Sequence, residues 1–465
     1  MTTLAVNSAL EDYFRPPAGM LNFRLDEPVG TEVAEFRFSP DIQCFGRLHE
    51  GREEREKGGA GGILSARLGE SKVALPFDPG EVADNLRLER YPAAHTERRL
   101  MGPAVRAAYY ALRPCLPVPV RRHLQRRALR GWKNRQFPSW PVDRTVDRLF
   151  AELMRLLLIA RGGEKIPFIW FWPDGKSGCV LMTHDVEGPA GLRFCKKLMD
   201  LNDSFGIKSS FQIIPGGRYT VSPHLREEIQ SRGFELNVHD WNHDGTLFQE
   251  RKAFLASVSK INETAAQWGA LGFRSAVLYR RPDWFDSLAF EYDMSVPNVA
   301  HLDPQPGGCC TIMPYFIGRL LEIPVTTTQD YSLFHIFRTD SIELWTHQTA
   351  AILEGNGLAS FIVHPDYVIE ARAAATYSRL LEHICNLHME QDTWVTLPRS
   401  VNQWWRQRSQ MKLVRSSNGW QVTGPGSERA RVAYAHLDND RLVYTLEEPA
   451  STQHEDNVCA VSAES

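Results

Sequence analysis

Between residues 175 and 405 the sequence repeatedly alternates a short apolar run of strand character with a longer amphipathic stretch of helical period. CVLMTHD precedes LRFCKKLMDLNDSFG, SSFQIIP precedes PHLREEIQSRG, and FELNVH precedes RKAFLASVSKINETAAQW. Further on, SIELWTHQTAAILEGNG leads to ASFIVHP, and ARAAATYSRLLEHICNLHM leads to TWVTLP. A helix between successive strands carries the chain back across the sheet, so the strands must run parallel, in a sheet either open or closed into a barrel. In both architectures the loops at the carboxyl ends of the strands build the site. Chemistry is therefore sought where an apolar run ends.

The flanks read differently. Residues 1–97 carry alternating runs such as GTEVAEFRFS and GILSARLGESKVALPF around a charged, Gly-rich stretch, which predicts a small β-rich domain. The GGAGG within it lacks a following Lys-Ser/Thr and a preceding strand, so it reads as a connection and not a phosphate loop. Residues 98–174 form a basic and helical connecting region. Its part from 98 to 135 holds Arg98, Arg99, Arg106, Arg113, Arg121, Arg122, Arg126, Arg127, Arg130, Lys133 and Arg135. Tyr109, Tyr110, Leu112, Leu124 and Trp132 interleave these charges, while Pro114, Pro117 and Pro119 forbid one continuous helix. Such a surface suits an anionic membrane or a lipid-linked glycan, or it is a solvated face paired with acidic surface elsewhere. After the domain at 175–408, residues 409–450 predict a C-terminal β accessory region, and 451–465 a flexible tail.

Bulk properties narrow the functional classes. A net charge of −3 gives no global attraction to nucleic acid, and none is expected as a partner. No apolar stretch reaches the roughly 18 residues of a membrane span, and MTTLAVNSALEDYFRPP lacks a basic, apolar leader. A cytoplasmic location, membrane-peripheral through the arginine-rich segment, is the expectation. The eight cysteines show no CxxC spacing and are read as reduced, structural thiols.

Asp185 and Glu187 end the run beginning at Cys179 and, two apart, share a face of a strand. Two acids aimed together repel unless a cation or a shared proton intervenes; alternatively they are helix N-cap chemistry for the stretch that follows. His239 and His243 follow FELNV, and if that segment turns helical their spacing of four puts both imidazoles on one side, able to grip one divalent ion. With a carboxylate on a neighbouring strand this makes a 2-His-1-carboxylate set with open positions. Arg274 and His364 also stand at the ends of strand-like runs; their structural alternatives are an ordinary ion pair and a core histidine.

The order THDVE, HDWNH, FRSA, FIVH resembles the polysaccharide deacetylase (NodB-homology) family, carbohydrate esterase family four. The resemblance covers about half of the chain. It implies a distorted, incomplete (β/α) barrel and a metal-dependent deacetylase acting on the carbon–nitrogen amide, or the ester, of an acetylated sugar or glycan precursor. It further implies Asp185 as catalytic base, Glu187, His239 and His243 as ligands of a divalent metal, zinc being expected, Arg274 as the group orienting the base, and His364 as general acid. Here Val186 separates the two acids that are usually adjacent, and Ser275, Ala276 and Val277 replace the customary prolines and aromatic of the third motif. The backbone N–H of Val277 is the expected oxyanion donor. For the aspartate of the fourth motif, Asp303 and Asp330 are both candidates. The competing expectations are a deacetylase-like scaffold without turnover in a polysaccharide assembly system, and a small-molecule C–N amide hydrolase.

Overall fold

The structure, a computed structural model, describes residues 3–25, 29–49, 66–69, 72–92 and 131–447 except 418, together with 120, 123, 124, 126, 127 and 129. The tail at 451–465 and most of the basic stretch at 98–135 lie outside the described residues, so the membrane or lipid-linked glycan contact expected there is a matter for neither fold nor site.

The chain opens with α1 (Thr3–Phe14), β1 (Phe23–Leu25), β2 (Val29–Ser39), β3 (Ile42–His49), β4 (Arg67–Gly69), β5 (Lys72–Leu75) and α2 (Pro79–Arg87). β2 and β3 form an antiparallel hairpin, and β5 lies between β1 and β4. Asp78 caps α2 by accepting the N–H groups of Gly80 and Glu81. α3 (Thr145–Ala160) follows. Its Leu149, Phe150, Leu153, Met154, Leu157 and Leu158 recur at helical spacing and are fully buried, each contributing about 1.5–3 kcal/mol. β6 (Ile166–Ile169) then leads into the repeating units.

These are β7 (Cys179–Val186), α4 (Pro189–Ser204), β8 (Ser210–Ile213), α5 (Pro223–Ser231), β9 (Glu235–His239), α6 (Arg251–Trp268), β10 (Gly272–Arg274), β11 (Tyr292–Asp293), β12 (Tyr315–Ile317), β13 (Leu320–Glu322), α7 (Glu343–Glu354), β14 (Leu358–Ile362), α8 (Ala371–Glu390), β15 (Trp394–Thr396) and α9 (Pro398–Gln410). The parallel order is β13-β11-β10-β9-β8-β7-β14, with β12 antiparallel at the outer edge. β15 pairs with Cys179–Leu181 of β7, and β8 takes over from Thr183. The two ends of this sheet approach each other where the chain after β13 reaches β14. Thr327 N–H donates to Ser360 O (3.3 Å), but the other links are threonine hydroxyls, Thr326 Oγ1 to Leu358 O (2.7 Å) and Thr327 Oγ1 to Ser360 O (2.8 Å). Side chains thus stand in for part of a ladder, and the sheet is a curled, incomplete (β/α) barrel.

The C-terminal strands β16 (Lys412–Ser416), β17 (Gly419–Thr423), β18 (Val432–Asp438) and β19 (Arg441–Leu446) form two antiparallel pairs, and β18 also pairs with β6. One apolar cluster joins Phe14, Phe36, Phe77, Phe150, Phe168, Trp404 and Ala433, so both flanks share a core with α3. The Arg408 guanidinium, fully buried, ties this core together by donating to the carbonyls of Trp170 (2.9 Å), Ile169 (2.7 Å) and Tyr13 (2.9 Å). Among the described residues no helix is long and apolar enough to cross a membrane, and the six described cysteines are free thiols.

Candidate active site

Every residue of β7 is buried, because the strand is covered on both faces and flanked on both edges. Asp185 sits near its carboxyl end. Its Oδ1 accepts from Arg274 Nη1 at 2.7 Å, and its Oδ2 lies 3.8 Å from His239 Nε2. Glu187, two residues on, places Oε1 2.8 Å from His243 Nε2 and 3.7 Å from His364 Nε2. The strand period does bring both acids to one place.

His239 is the last residue of β9, level with Arg274 in the neighbouring β10. His243 arrives by another route than the sequence suggests. Residues 240–244 are not helical; Asp240 and His243 each adopt φ +56°, and the chain bends back until the two imidazole centroids are 4.8 Å apart. The bend is held by groups that local periodicity ignores. Asp240 accepts the N–H of Trp241 (2.6 Å) and of Ala276 (3.1 Å), and Arg218 donates to the carbonyls of Glu187 (3.1 Å) and His243 (2.8 Å). The segment, rich in Asp, Asn and Gly, has little helical preference to resist the bend, so the conditional helix does not form.

His239 Nδ1 lies 3.1 Å from the Arg274 carbonyl, which can only accept, so the ring proton is on Nδ1 and the Nε2 lone pair faces the cluster. Burial pushes this imidazole down to about 4, against the pull of Asp185. His239 Nε2 and His243 Nδ1 are buried without a hydrogen-bond partner, and His243 Nε2 has only the Glu187 carboxylate, 2.8 Å away. Each such orphan costs about 1–3 kcal/mol unless something fills the gap. One donor atom from each of Glu187, His239 and His243 lies within 4.8 Å of the others. Two imidazoles and one carboxylate fit a divalent cation such as zinc. Burial works to raise both carboxyls, but Arg274, His239 and His364 hold Asp185 below its ordinary value, and His243 holds Glu187 well below its own.

Arg274 is fully buried. Besides Asp185 it bonds Thr183 Oγ1 (2.7 Å) and, through Nε, the Met294 carbonyl (2.9 Å). His364 follows β14, and its Nδ1 is 2.6 Å from Asp330 Oδ1 while its N–H donates to Asp330 Oδ2 at 2.7 Å. Burial alone would lower this imidazole; Asp330 first, then Glu187 and Asp185, reverse that and bring it to about 10. Of the two fourth-motif candidates the structure therefore selects Asp330. Asp303 is set aside, because its carboxylate accepts from Gln329 Nε2 at 3.0 Å instead of reaching His364.

Asp366 was missed by sequence reasoning. It takes the capping role that had been open to Asp185 and Glu187, accepting the N–H groups of Glu187 (3.3 Å), Gly188 (3.2 Å) and Gly191 (2.9 Å) at the start of α4. A Cβ at Gly188 or Gly191 would lie 2.7 or 2.1 Å from an Asp366 oxygen, so both positions need glycine. The HPD run after β14 was a weak signal for it. His184, also missed, is buried beside Asp185 with Nδ1 2.9 Å from the Val363 carbonyl, and burial pushes it down to about 4. Val277 and Leu278 hold φ +57° and +53°, a conformation costing about 1–3 kcal/mol each that persists where surroundings enforce it, typically beside a site.

No family model and no curated protein matches the chain. Solved structures do resemble it. A Mycobacterium smegmatis protein described as a polysaccharide deacetylase has 18% identity and a TM-score of 0.42, over 51% of this chain and 93% of that one. The Puue allantoinase has 13% identity and a TM-score of 0.40, over 50% and 92%. The Bacillus subtilis peptidoglycan deacetylase PdaC has 11% identity and a TM-score of 0.31, over 49% and 90%. Polysaccharide deacetylases are thus among its structural neighbours. The strand order and the geometry above carry the fold and the site independently of these likenesses.

Proposed function

We propose that this protein is a metal-dependent deacetylase that hydrolyses the acetyl amide or ester of a sugar or glycan precursor. One observation carries the reading: two buried imidazoles and a carboxylate converge within 4.8 Å, flanked by an ionised acid on one side and a protonated histidine on the other. Glu187, His239 and His243 would hold the cation, zinc by donor chemistry, which would supply Lewis acidity and a water of lowered pKa.

Asp185, kept ionised and aligned by Arg274, takes the proton of the attacking water as general base. The oxygen adds to the acetyl carbonyl, and the Val277 N–H donates to the oxyanion that develops. His364, protonated and oriented by Asp330, gives its Nε2 proton to the departing amine or hydroxyl. Acetate and the free sugar leave.

The test is acetate release from nucleotide-sugars, lipid-linked sugars and chito-oligosaccharides by wild type and by Asp185→Asn. Turnover by wild type and its loss in the variant are expected. A wild type that holds metal and cleaves none of these would move the assignment to a scaffold; an Asp185→Asn variant as active as wild type would overturn the role of the base.

A further inference from the structure

Behind Arg274, away from the metal ligands, two more carboxyl groups are buried together. Asp293 ends β11 and Glu322 ends β13; they are register partners on adjacent parallel strands, and both are fully buried. Three of their four oxygens accept hydrogen bonds. Asp293 Oδ2 accepts the Ser295 N–H (2.6 Å), Asp293 Oδ1 accepts the Ser295 hydroxyl (2.8 Å), and Glu322 Oε1 accepts the Val296 N–H (3.0 Å). Glu322 Oε2 is left without a hydrogen-bond partner, and the carboxyl beside it in the sheet is that of its register partner Asp293. Two acceptors in contact in a dry interior are stable only with a hydrogen between them, so the pair must carry a proton of its own. Consistently, burial raises both groups, Asp293 to about 6 and Glu322 well above its ordinary value.

The network does not stop at Ser295. Its hydroxyl oxygen accepts the Ser275 N–H at 2.8 Å, and Ser275 directly follows Arg274. Met294, between Asp293 and Ser295, supplies the carbonyl that accepts from Arg274 Nε at 2.9 Å. We propose that the Asp293–Glu322 pair is the positioning device for Arg274: one shared proton joins two carboxyls, and Asp293, through Ser295, locks both backbone segments that aim the guanidinium at Asp185. The inference rests on the deacetylase reading only in its kinetic consequence.

The valences of the two side chains separate this role from mere packing. In Glu322→Gln the amide N–H replaces the shared hydrogen and the amide oxygen still accepts from Val296, so the network stays closed. In Asp293→Ala both Ser295 donors lose their acceptor, so the link from the pair to Ser295 is cut. Crystal structures of the two variants should show the 2.7 Å contact between Arg274 Nη1 and Asp185 Oδ1 kept in Glu322→Gln and broken in Asp293→Ala. In acetate release, Glu322→Gln should stay within about threefold of wild type, and Asp293→Ala should lose kcat by at least about tenfold with KM and bound metal unchanged. If Asp293→Ala fails to fold, Ser295→Ala, which removes only the hydroxyl link to Ser275, should give the same kcat loss in a folded protein. Retention of the Arg274–Asp185 contact in Asp293→Ala, or equal losses in both carboxyl variants, would overturn the proposal. A wild type without acetate release would sink the deacetylase reading alone, since the crystallographic outcome stands apart from turnover.

Discussion

Replacing Asp330 with Asn isolates the support of the general acid, because the change is nearly isosteric and lies away from the metal ligands. Asp330 makes three charge-assisted contacts: His364 Nδ1 at 2.6 Å, the His364 N–H at 2.7 Å and the Tyr331 N–H at 2.7 Å. An amide has one accepting oxygen. If it accepts from the His364 N–H, its own NH2 faces Nδ1 and selects the wrong tautomer; if it accepts from Nδ1–H, its NH2 opposes the backbone N–H. Either way a hydrogen bond to a charged group is lost, about 1.5–3 kcal/mol. If that loss falls on the step in which His364 gives up its proton, kcat drops by about 10- to 150-fold. The assay is steady-state acetate release with metal content measured on the same preparation. KM and metal should hold while kcat falls. An Asp330→Asn variant with kcat within about twofold of wild type would refute the role given to this pair.

Gly191→Ala places a Cβ 2.1 Å from Asp366 Oδ2 and 3.0 Å from the Asp366 backbone N, an overpacking that should cost about 1–3 kcal/mol and lower the Tm in thermal unfolding; an unchanged Tm would contradict the cap assigned to Asp366. Glu235 is buried, accepts from Asn237 Nδ2 (2.8 Å) and the Arg399 N–H (3.0 Å), and is raised from 4.5 to about 7 by burial. The folded state therefore holds this proton more tightly than the unfolded one, and stability is lost as pH rises from about 4.5 through about 7, by an upper estimate of about 3 kcal/mol. Glu235→Gln should accordingly gain stability relative to wild type between pH 5 and 8 in urea titrations, since about 7 lies inside that window, and parallel pH curves for the two would contradict it.

The legible parts of the site were those set by local period. Asp185 and Glu187 could be placed because a strand repeats every two residues and its apolar run announces where it ends. The convergence of His239 with His243 was legible from residue type, but its geometry was not: the bend depends on Asp240 reaching Ala276 and on Arg218 reaching His243, contacts made by residue types that ordinarily sit on a surface. Asp303 and Asp330 could not be separated because the partner, His364, is distant in the chain and only the folded sheet brings one of them to it. Asp366 was hidden for the same reason, capping a helix whose first residues lie far upstream. In the barrel, the alternating units announced themselves, whereas β11 and β13 are too short to show a period and owe their existence to parallel pairing with β10 and with each other. The C-terminal strands were readable as strands, but their pairing with β6 is a non-local contact that no local pattern encodes.

Elemental analysis of the purified protein tests the central claim most directly, because the metal cluster is what gives the surrounding acid and base a reaction to perform. Wild type and Asp185→Asn should both carry stoichiometric zinc or another divalent ion, and His239→Ala and His243→Ala should carry almost none while remaining folded. Wild-type protein that takes up no divalent ion on dialysis against it, or histidine variants that bind it as fully as wild type, would contradict the account.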